Sequence, residues 1–268
     1  MKQIFKLLAV AVVSTVVSSA CKKDIKQESP VEEFPQEDMA QIQKLGFGTR
    51  DVIKTKEGYI VEGDILLTKE HLKAVPKVEK LRVGNEEQYR TFNTVYALPR
   101  TITVRVATSL NSTYVTAVNT AIARYNALGL LIKFQRVTSG GNIVLPPAPA
   151  GATYLASGGF PTDAGNPWNT IYVNASALNT WNINTKASIM AHEIGHCIGF
   201  RHTDYYNRAI SCGGAYSNEG ASTVGFKLIP GTPSTATNAG ASWMLACISN
   251  GLNRPFNGAD KIALNFLY

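Results

Sequence analysis

The run His192-Glu193-Ile194-Gly195-His196-Cys197-Ile198-Gly199-Phe200-Arg201-His202 has the spacing H-E-x-x-H-x-x-G-x-x-H. Residues four apart on a helix share a face, so His192 and His196 can offer ring nitrogens to one metal ion. Glu193 falls beside that ion, placed to take a proton from water. Gly199 lets the backbone leave the helix through a left-handed turn, which costs a residue with a β-carbon more. The turn returns His202 as a third ligand. Three neutral nitrogens leave one tetrahedral position open, the arrangement of a catalytic zinc site rather than a structural one. Three of the four histidines lie in this run. The added Gly and His make it about a thousandfold rarer than a bare H-E-x-x-H on average residue usage. Histidines that merely fill a core would not be gathered this way.

The 268 residues suffice for one large domain, or one domain and a smaller segment, and 45% hydrophobic content is ordinary for a sizeable core. The net charge of +7 is unevenly spread. Residues 22–100 carry fourteen basic and fourteen acidic side chains, whereas 101–268 carry ten and five. The second part is sparsely charged and rich in Asn, Thr, Ser, Gly and Ala, a texture common in exported bacterial domains. No basic stripe interleaved with aromatics appears, so nucleic acid is not an expected partner. A monomer is expected.

The N-terminus reads as a targeting segment. Lys2 and Lys6 precede an apolar run, Leu7 to Val17, that is too short for a stable membrane span. Ser18-Ser19-Ala20 before Cys21 resembles a bacterial lipoprotein signal, which makes 1–20 the signal peptide and Cys21 the lipidated first residue; Lys22 then points to the outer membrane. The alternative is an ordinary cleaved signal with a leftover cysteine. Export permits disulfides. Cys197, Cys212 and Cys247 allow three pairings; the pairing expected is Cys212 with Cys247, with Cys197 left as a buried thiol in the metal helix.

Residues 22–38 read as a polar tether. A short helix is expected over Met39–Leu45, ended by Gly46, and a strand over Tyr59–Thr68 with a central Gly-Asp; nothing before residue 91 supports a full core of its own. From Thr101 the pattern changes. A strand is expected over 101–106, an amphipathic helix over Thr113–Leu128, strands over 130–137, 142–145 and 169–174, and the metal helix over Thr185–Ile198 with Asn184 or Thr185 as cap. A long irregular stretch over 203–242 and a helix over Asn257–Tyr268 complete the chain.

That order resembles the metzincin zinc peptidases. Their second hallmark, a methionine in a tight turn beneath the zinc, is matched by Ser242-Trp243-Met244-Leu245-Ala246. More closely, the H-E-I-G-H-C-I-G-F-R-H-T-D run, Ser211-Cys212-Gly213-Gly214 and the Pro-Phe-Asn near the C-terminus resemble the dual-action HEIGH metallopeptidases. The resemblance implies an α+β zincin fold: a twisted mixed sheet, a long backing helix, an active-site helix, and an irregular C-terminal subdomain ending in a helix. It implies zinc held by His192, His196 and His202, Glu193 as general base, Met244 as the turn residue, and hydrolysis of peptide or protein substrates by 91–268. An extended substrate is expected against the 169–174 strand. Thr203 follows the third His and Ala246 stands where astacins place a tyrosine, so Tyr172, Tyr205 and Tyr206 remain open as oxyanion-stabilising groups.

Val61-Glu62-Gly63-Asp64-Ile65 resembles the F-x-G-D stretch of astacin propeptides, in which the Asp carboxylate fills the open zinc position. Residues 21–90 are then a tether and inhibitory prosegment, and a cut between about Arg82 and Arg100 would activate the enzyme and release it from the membrane together. The plainer reading is a surface strand ending in a Gly-Asp turn. Two other functions stay open: a silent zinc-containing lipoprotein binding module, and a zinc amidohydrolase on a non-peptide substrate. Endo- versus exopeptidase action is undecided, and Asp163, Asn166 and Glu219 are oxygen-bearing candidates for calcium.

Overall fold

A computed structural model describes residues 34–45, 47–73, 88–218, 227–232 and 242–268. The signal segment, Cys21, most of the tether, Gly46, the 74–87 stretch and Glu219 lie outside the described residues. Helix α1 (Gln36–Lys44) leads to strands β1 (Ile53–Lys54), β2 (Gly58–Val61) and β3 (Ile65–Thr68), then helix α2 (Lys69–Lys73) and strand β4 (Tyr89–Arg90). Strand β5 (Arg100–Val106), helix α3 (Ser112–Asn126), and strands β6 (Ile132–Val137), β7 (Ile143–Leu145), β8 (Ala156–Ser157) and β9 (Tyr172–Val173) follow. The chain continues with α4 (Ala175–Leu178), α5 (Ile183–Cys197), α6 (Ala209–Cys212), β10 (Lys227–Leu228) and α7 (Gly258–Leu267). No helix among the described residues is long and apolar enough to cross a membrane.

Helix α3 forms because Asn111 accepts a hydrogen bond from Thr113 N at its start and Gly129, at φ 72°, turns the chain out after its end. Tyr114, Ala117, Val118, Ala121, Ile122 and Tyr125 share one face, bury it, and pack on α5. Helix α5 is buried at every position from Thr185 to Cys197, polar side chains included. Its cap is Asn182, whose side-chain oxygen accepts from Asn184 N at 2.8 Å, so it begins earlier than expected and Asn184 lies inside it. The buried Lys186 is satisfied by Thr113 Oγ1 and the Asn179 carbonyl and lies over the Tyr114 ring.

The sheet is divided into small pieces rather than the single mixed sheet expected. β5 is central to a parallel set, β6-β5-β7, and β8 pairs antiparallel with β9. Isolated bridges from Val144 to Thr170 and from Pro147 to Val173 join these sets, and Gly158 bridges in parallel to Ile65 of the antiparallel β1-β2-β3 sheet. The 169–174 stretch has no free edge. One side bonds to 144–148 and the other to 155–157. It therefore cannot be the strand that a substrate lies against, and the edge facing the metal helix runs through 156–158.

The Tyr59–Thr68 stretch is a hairpin, not one strand. β2 and β3 are both almost wholly buried. Ile60 and Leu66 point into the main core, while Tyr59, Val61, Ile65 and Leu67 join Ile42, Phe47, Val52 and Leu72 in a second apolar cluster closed by Phe160. Alternation along two paired strands thus gives the N-terminal part a small core of its own and a grip on the rest, and Phe34 to Tyr268 pack as one compact unit.

Candidate metal centre

At the C-terminus of α5, Gly199 adopts φ 110° and Phe200 N bonds back to the Gly195 carbonyl at 2.9 Å. A β-carbon at Gly199 would lie 2.8 Å from the Asn93 carbonyl oxygen, so the turn requires glycine. It carries His202 to a position where His196 Nε2 and His202 Nε2 are 3.3 Å apart. Asp64, at the tip of the β2–β3 hairpin, completes the group: Oδ2 lies 3.3 Å from His192 Nε2 and 3.2 Å from His202 Nε2, and Oδ1 lies 3.9 Å from His196 Nε2. The turn keeps Gly63 exposed but directs the partly buried Asp64 carboxylate into the motif.

These four donors lie within 4.8 Å of one another. Bonds of 2.0–2.1 Å set ligand atoms about 3.3 Å apart around a tetrahedron, so the cluster has the size of a zinc cage. His192 Nε2 and Asp64 Oδ1 are buried without hydrogen-bond partners, as donor atoms aimed at an ion would be. The opposite ring nitrogens are held: His192 Nδ1 bonds the Trp243 carbonyl at 2.9 Å and His196 Nδ1 the Phe200 carbonyl at 2.8 Å. A carbonyl only accepts, so Nδ1 carries the proton in both rings and Nε2 keeps its lone pair for the metal.

Glu193 Oε2 accepts from Gly158 N at 2.6 Å, which fixes the carboxylate beside the cluster. Burial raises its pKa well above the ordinary value, and the Asp64 charge adds to the rise against the Gly158 N–H. Burial also opposes ionisation of Asp64, but the surrounding imidazoles of His202, His192 and His196 outweigh it and hold this carboxyl well below its usual range. The two carboxyls are thereby pushed apart, one kept as an anion and one suited to gaining a proton. Beneath the helix, Ser242–Leu245 form a tight turn with Met244 fully buried. A β-carbon at Gly195 would stand 2.6 Å from Met244 Sδ, so this glycine permits the contact.

The model of the dual-action HEIGH metallo-peptidase family matches residues 59–268, most of the chain. The chain belongs to the dual-action HEIGH metallo-peptidases. Peptide or protein is therefore the substrate class of this metallopeptidase. No curated protein sequence matches it. Two solved structures of myroilysin are similar at 16% identity: one covers 66% of this chain and 96% of its own with a TM-score of 0.40, the other 70% and 94% with a TM-score of 0.38. The family match includes the Gly-Asp hairpin as well as the histidine helix.

A cavity of about 230 Å³ opens beside His192 and Glu193, lined also by Tyr154, Ile189, Arg208, Leu245 and Arg254. Tyr154, not singled out from sequence, stands in this wall, and burial together with nearby acidic groups pushes its hydroxyl up to about 12. Tyr205 instead packs edge-on against Tyr89. Cys212 and Cys247 form a disulfide, and Cys197 is a buried free thiol. Asp163 and Asn166 accept from Asn93 and Arg100, and the one group of metal-ligating side chains among the described residues is the histidine–Asp64 cluster. What sequence reasoning missed is mostly main chain: the Gly158 amide and the Trp243 and Phe200 carbonyls leave no mark in side-chain spacing. Glu62 and Arg201, which form a buried ion pair beside the cluster, were legible only as letters inside two motifs.

Proposed function

We propose that this metallopeptidase is a zinc endopeptidase, exported and lipid-anchored through Cys21, and made in a latent form that Asp64 holds. The observation that supports this most is one carboxylate lying among the three imidazoles with Glu193 at its side. His192, His196 and His202 would hold the ion, and Asp64 would fill the position that water and substrate need. When bound, zinc supplies Lewis-acid activation of the scissile carbonyl and of the attacking water.

The chain's own groups do the rest. Glu193, steadied by the Gly158 amide on Oε2, takes the proton of the attacking water and later delivers it to the leaving amine. Burial, which raises its pKa, favours the protonated state from which it delivers the proton to the amine. Gly158 also accepts from Leu66 N at 2.7 Å, so the prosegment strand β3 occupies the edge on which a substrate backbone would pair. The cavity beside Glu193 takes a substrate side chain. Family membership sets aside a silent binding module and a non-peptide amidohydrolase.

Quenched-peptide hydrolysis tests the reading, using the zinc-loaded full chain with a specific protease site placed within 74–87, assayed before and after cutting. Activity only after cutting, absent from Glu193→Ala despite full zinc content, is the expected result. Equal activity before and after removes latency; unchanged turnover in Glu193→Ala removes the general base. Release upon activation is tested by mass analysis of the active form: finding it still lipidated in the membrane fraction rules that release out.

A further inference from the structure

Glu62 is buried, although a carboxylate of that kind is almost never buried without a partner. Both its oxygens take a hydrogen bond from Arg201 Nη2, at 2.7 and 2.9 Å. Its backbone adopts φ 55°, a left-handed conformation unfavourable for a residue with a long side chain. Arg208 Nη1 donates to its carbonyl at 2.7 Å. The residue two places before the metal-facing Asp64 is thus held at both ends by arginines of the catalytic part.

Arg201 is fully buried, and it immediately precedes the ligand His202. Among the described residues its charge also reaches the Tyr205 hydroxyl, while the groups it pairs with or lies over are the Glu62 carboxylate and the Phe47 ring, whose centre is 5.0 Å away. Both belong to the prosegment. Its Nε and Nη1 are buried without partners, and among the described residues no other carboxylate approaches within 4.0 Å. The nearby Asp204 does not serve it: its oxygens accept from Ala246 N and Ser211 Oγ. Removing the prosegment would leave a preformed cationic pocket, about two residues along the cleft from the metal. A buried guanidinium stripped of its anion is costly, so an anion that returns to it is strongly favoured. The planar fork matches a carboxylate, and residues 101–268 carry ten basic against five acidic side chains.

We propose that Arg201 is the recognition site for an acidic side chain of the peptide substrate, and that Glu62 stands in for that side chain in the latent chain. This rests on the reading of 34–73 as an inhibitory prosegment. Arg208 would grip the main-chain carbonyl of the same substrate residue, as it grips that of Glu62. The metallopeptidase then selects peptides with Glu or Asp at one fixed distance from the cut.

The test uses the full chain cut within 74–87 after folding, loaded with zinc, and a set of quenched peptides in which Glu is exchanged for Gln at each of three positions on either side of the scissile bond. At one position the Glu peptide should exceed its Gln partner in kcat/KM by about tenfold or more, the effect of one charged hydrogen-bond pair. In Arg201→Gln, and to a lesser extent in Arg201→Lys, that ratio should fall towards one. A ratio near one at all positions in the unaltered enzyme overturns the proposal and leaves the peptidase reading standing. So does a ratio that persists in either variant. Should Arg201→Gln lose zinc, Arg201→Lys and the unaltered enzyme carry the comparison. Failure to hydrolyse any peptide, with zinc bound, overturns both readings.

Discussion

Asp64 Oδ2 lies 3.2 Å from His202 Nε2, although 138 residues separate the two in the chain. The hairpin that carries Asp64 is held by buried apolar side chains on both faces and by Arg208 and Arg201 at the turn. Asp64→Ala removes the oxygen donors and leaves those holds in place. The uncut full chain should then hydrolyse peptides about tenfold or more faster than the unaltered uncut chain, since losing only about 1.4 kcal/mol of inhibitory binding changes the open fraction tenfold. Zinc should also leave Asp64→Ala faster in a chelator, with three protein donors in place of four. Uncut Asp64→Ala as silent as the parent would show that the hairpin blocks the cleft without using this carboxylate.

Gly195 and Met244 give a second prediction. A β-carbon added at Gly195 would stand 2.6 Å from Met244 Sδ and 3.1 Å from Trp243 Nε1, so Gly195→Ala must displace the turn beneath the helix. Overpacking of this kind costs about 1–3 kcal/mol. Trp243 also supplies the carbonyl that orients His192, so metal affinity should fall about 10–100-fold. Gly258→Ala is the control: nothing lies within 4 Å of its β-carbon and it opens α7. Thermal unfolding with and without zinc, and competition with a chelator, separate the two variants.

The metal helix, the backing helix and their order were legible because their information is local. The 3.6-residue repeat of Tyr114 to Tyr125 and the fixed intervals from His192 to His202 are carried by neighbours in sequence. Helix starts were misplaced by one or two residues where several Asn or Thr residues compete for the cap, as at Asn182 and Asn184. The substrate edge was misplaced for a different reason. The alternation of 169–174 reports a strand, but which of its edges is occupied depends on 144–148 and 155–157, and nothing in the strand's own residues records that. The Gly-Asp pair was legible, while the small core around Phe160 was missed because its members come from 42 to 160 and cluster only after β2 and β3 pair.

The Cys212–Cys247 bond closes a loop with a separation of 35 residues in the part of the chain after His202. Constraining a loop of that length stabilises by about 2–4 kcal/mol. Replacing both cysteines by alanine should lower Tm by about 4–16 °C. Cys247 and its neighbours Ala246 and Ile248 line the cavity beside Glu193, so KM should rise more than kcat falls. Cys197 offers no substitute partner; it is buried, and burial raises its pKa. Native reduction should therefore expose two alkylatable thiols from 212 and 247, with Cys197 reacting only after unfolding. Alkylation of Cys197 in the native protein would contradict its place inside the helix.

Asp260 supplies a pH test away from the metal. It is buried at the start of α7 and accepts from Gln88, Ser242, Trp243 N and Asn257 N. Burial raises its pKa to about 6 against the pull of those four donors. In the unfolded chain it returns to about 3.9. The folded state therefore binds the proton more tightly, so the associated stability is fully present below about pH 4 and is lost as pH rises through about 6. Asp260→Asn cannot titrate. It also turns an amide donor towards groups that themselves donate, which should destabilise by about 1–3 kcal/mol at neutral pH. The gap in unfolding free energy between parent and variant should be wider at pH 4 than at pH 7 by about 1–3 kcal/mol, two pKa units being about 2.7. Denaturant titrations of both proteins at the two pH values measure it directly. A gap that narrows on acidification would mean that Asp260 is held as an anion by its four donors, with its folded pKa below the unfolded one.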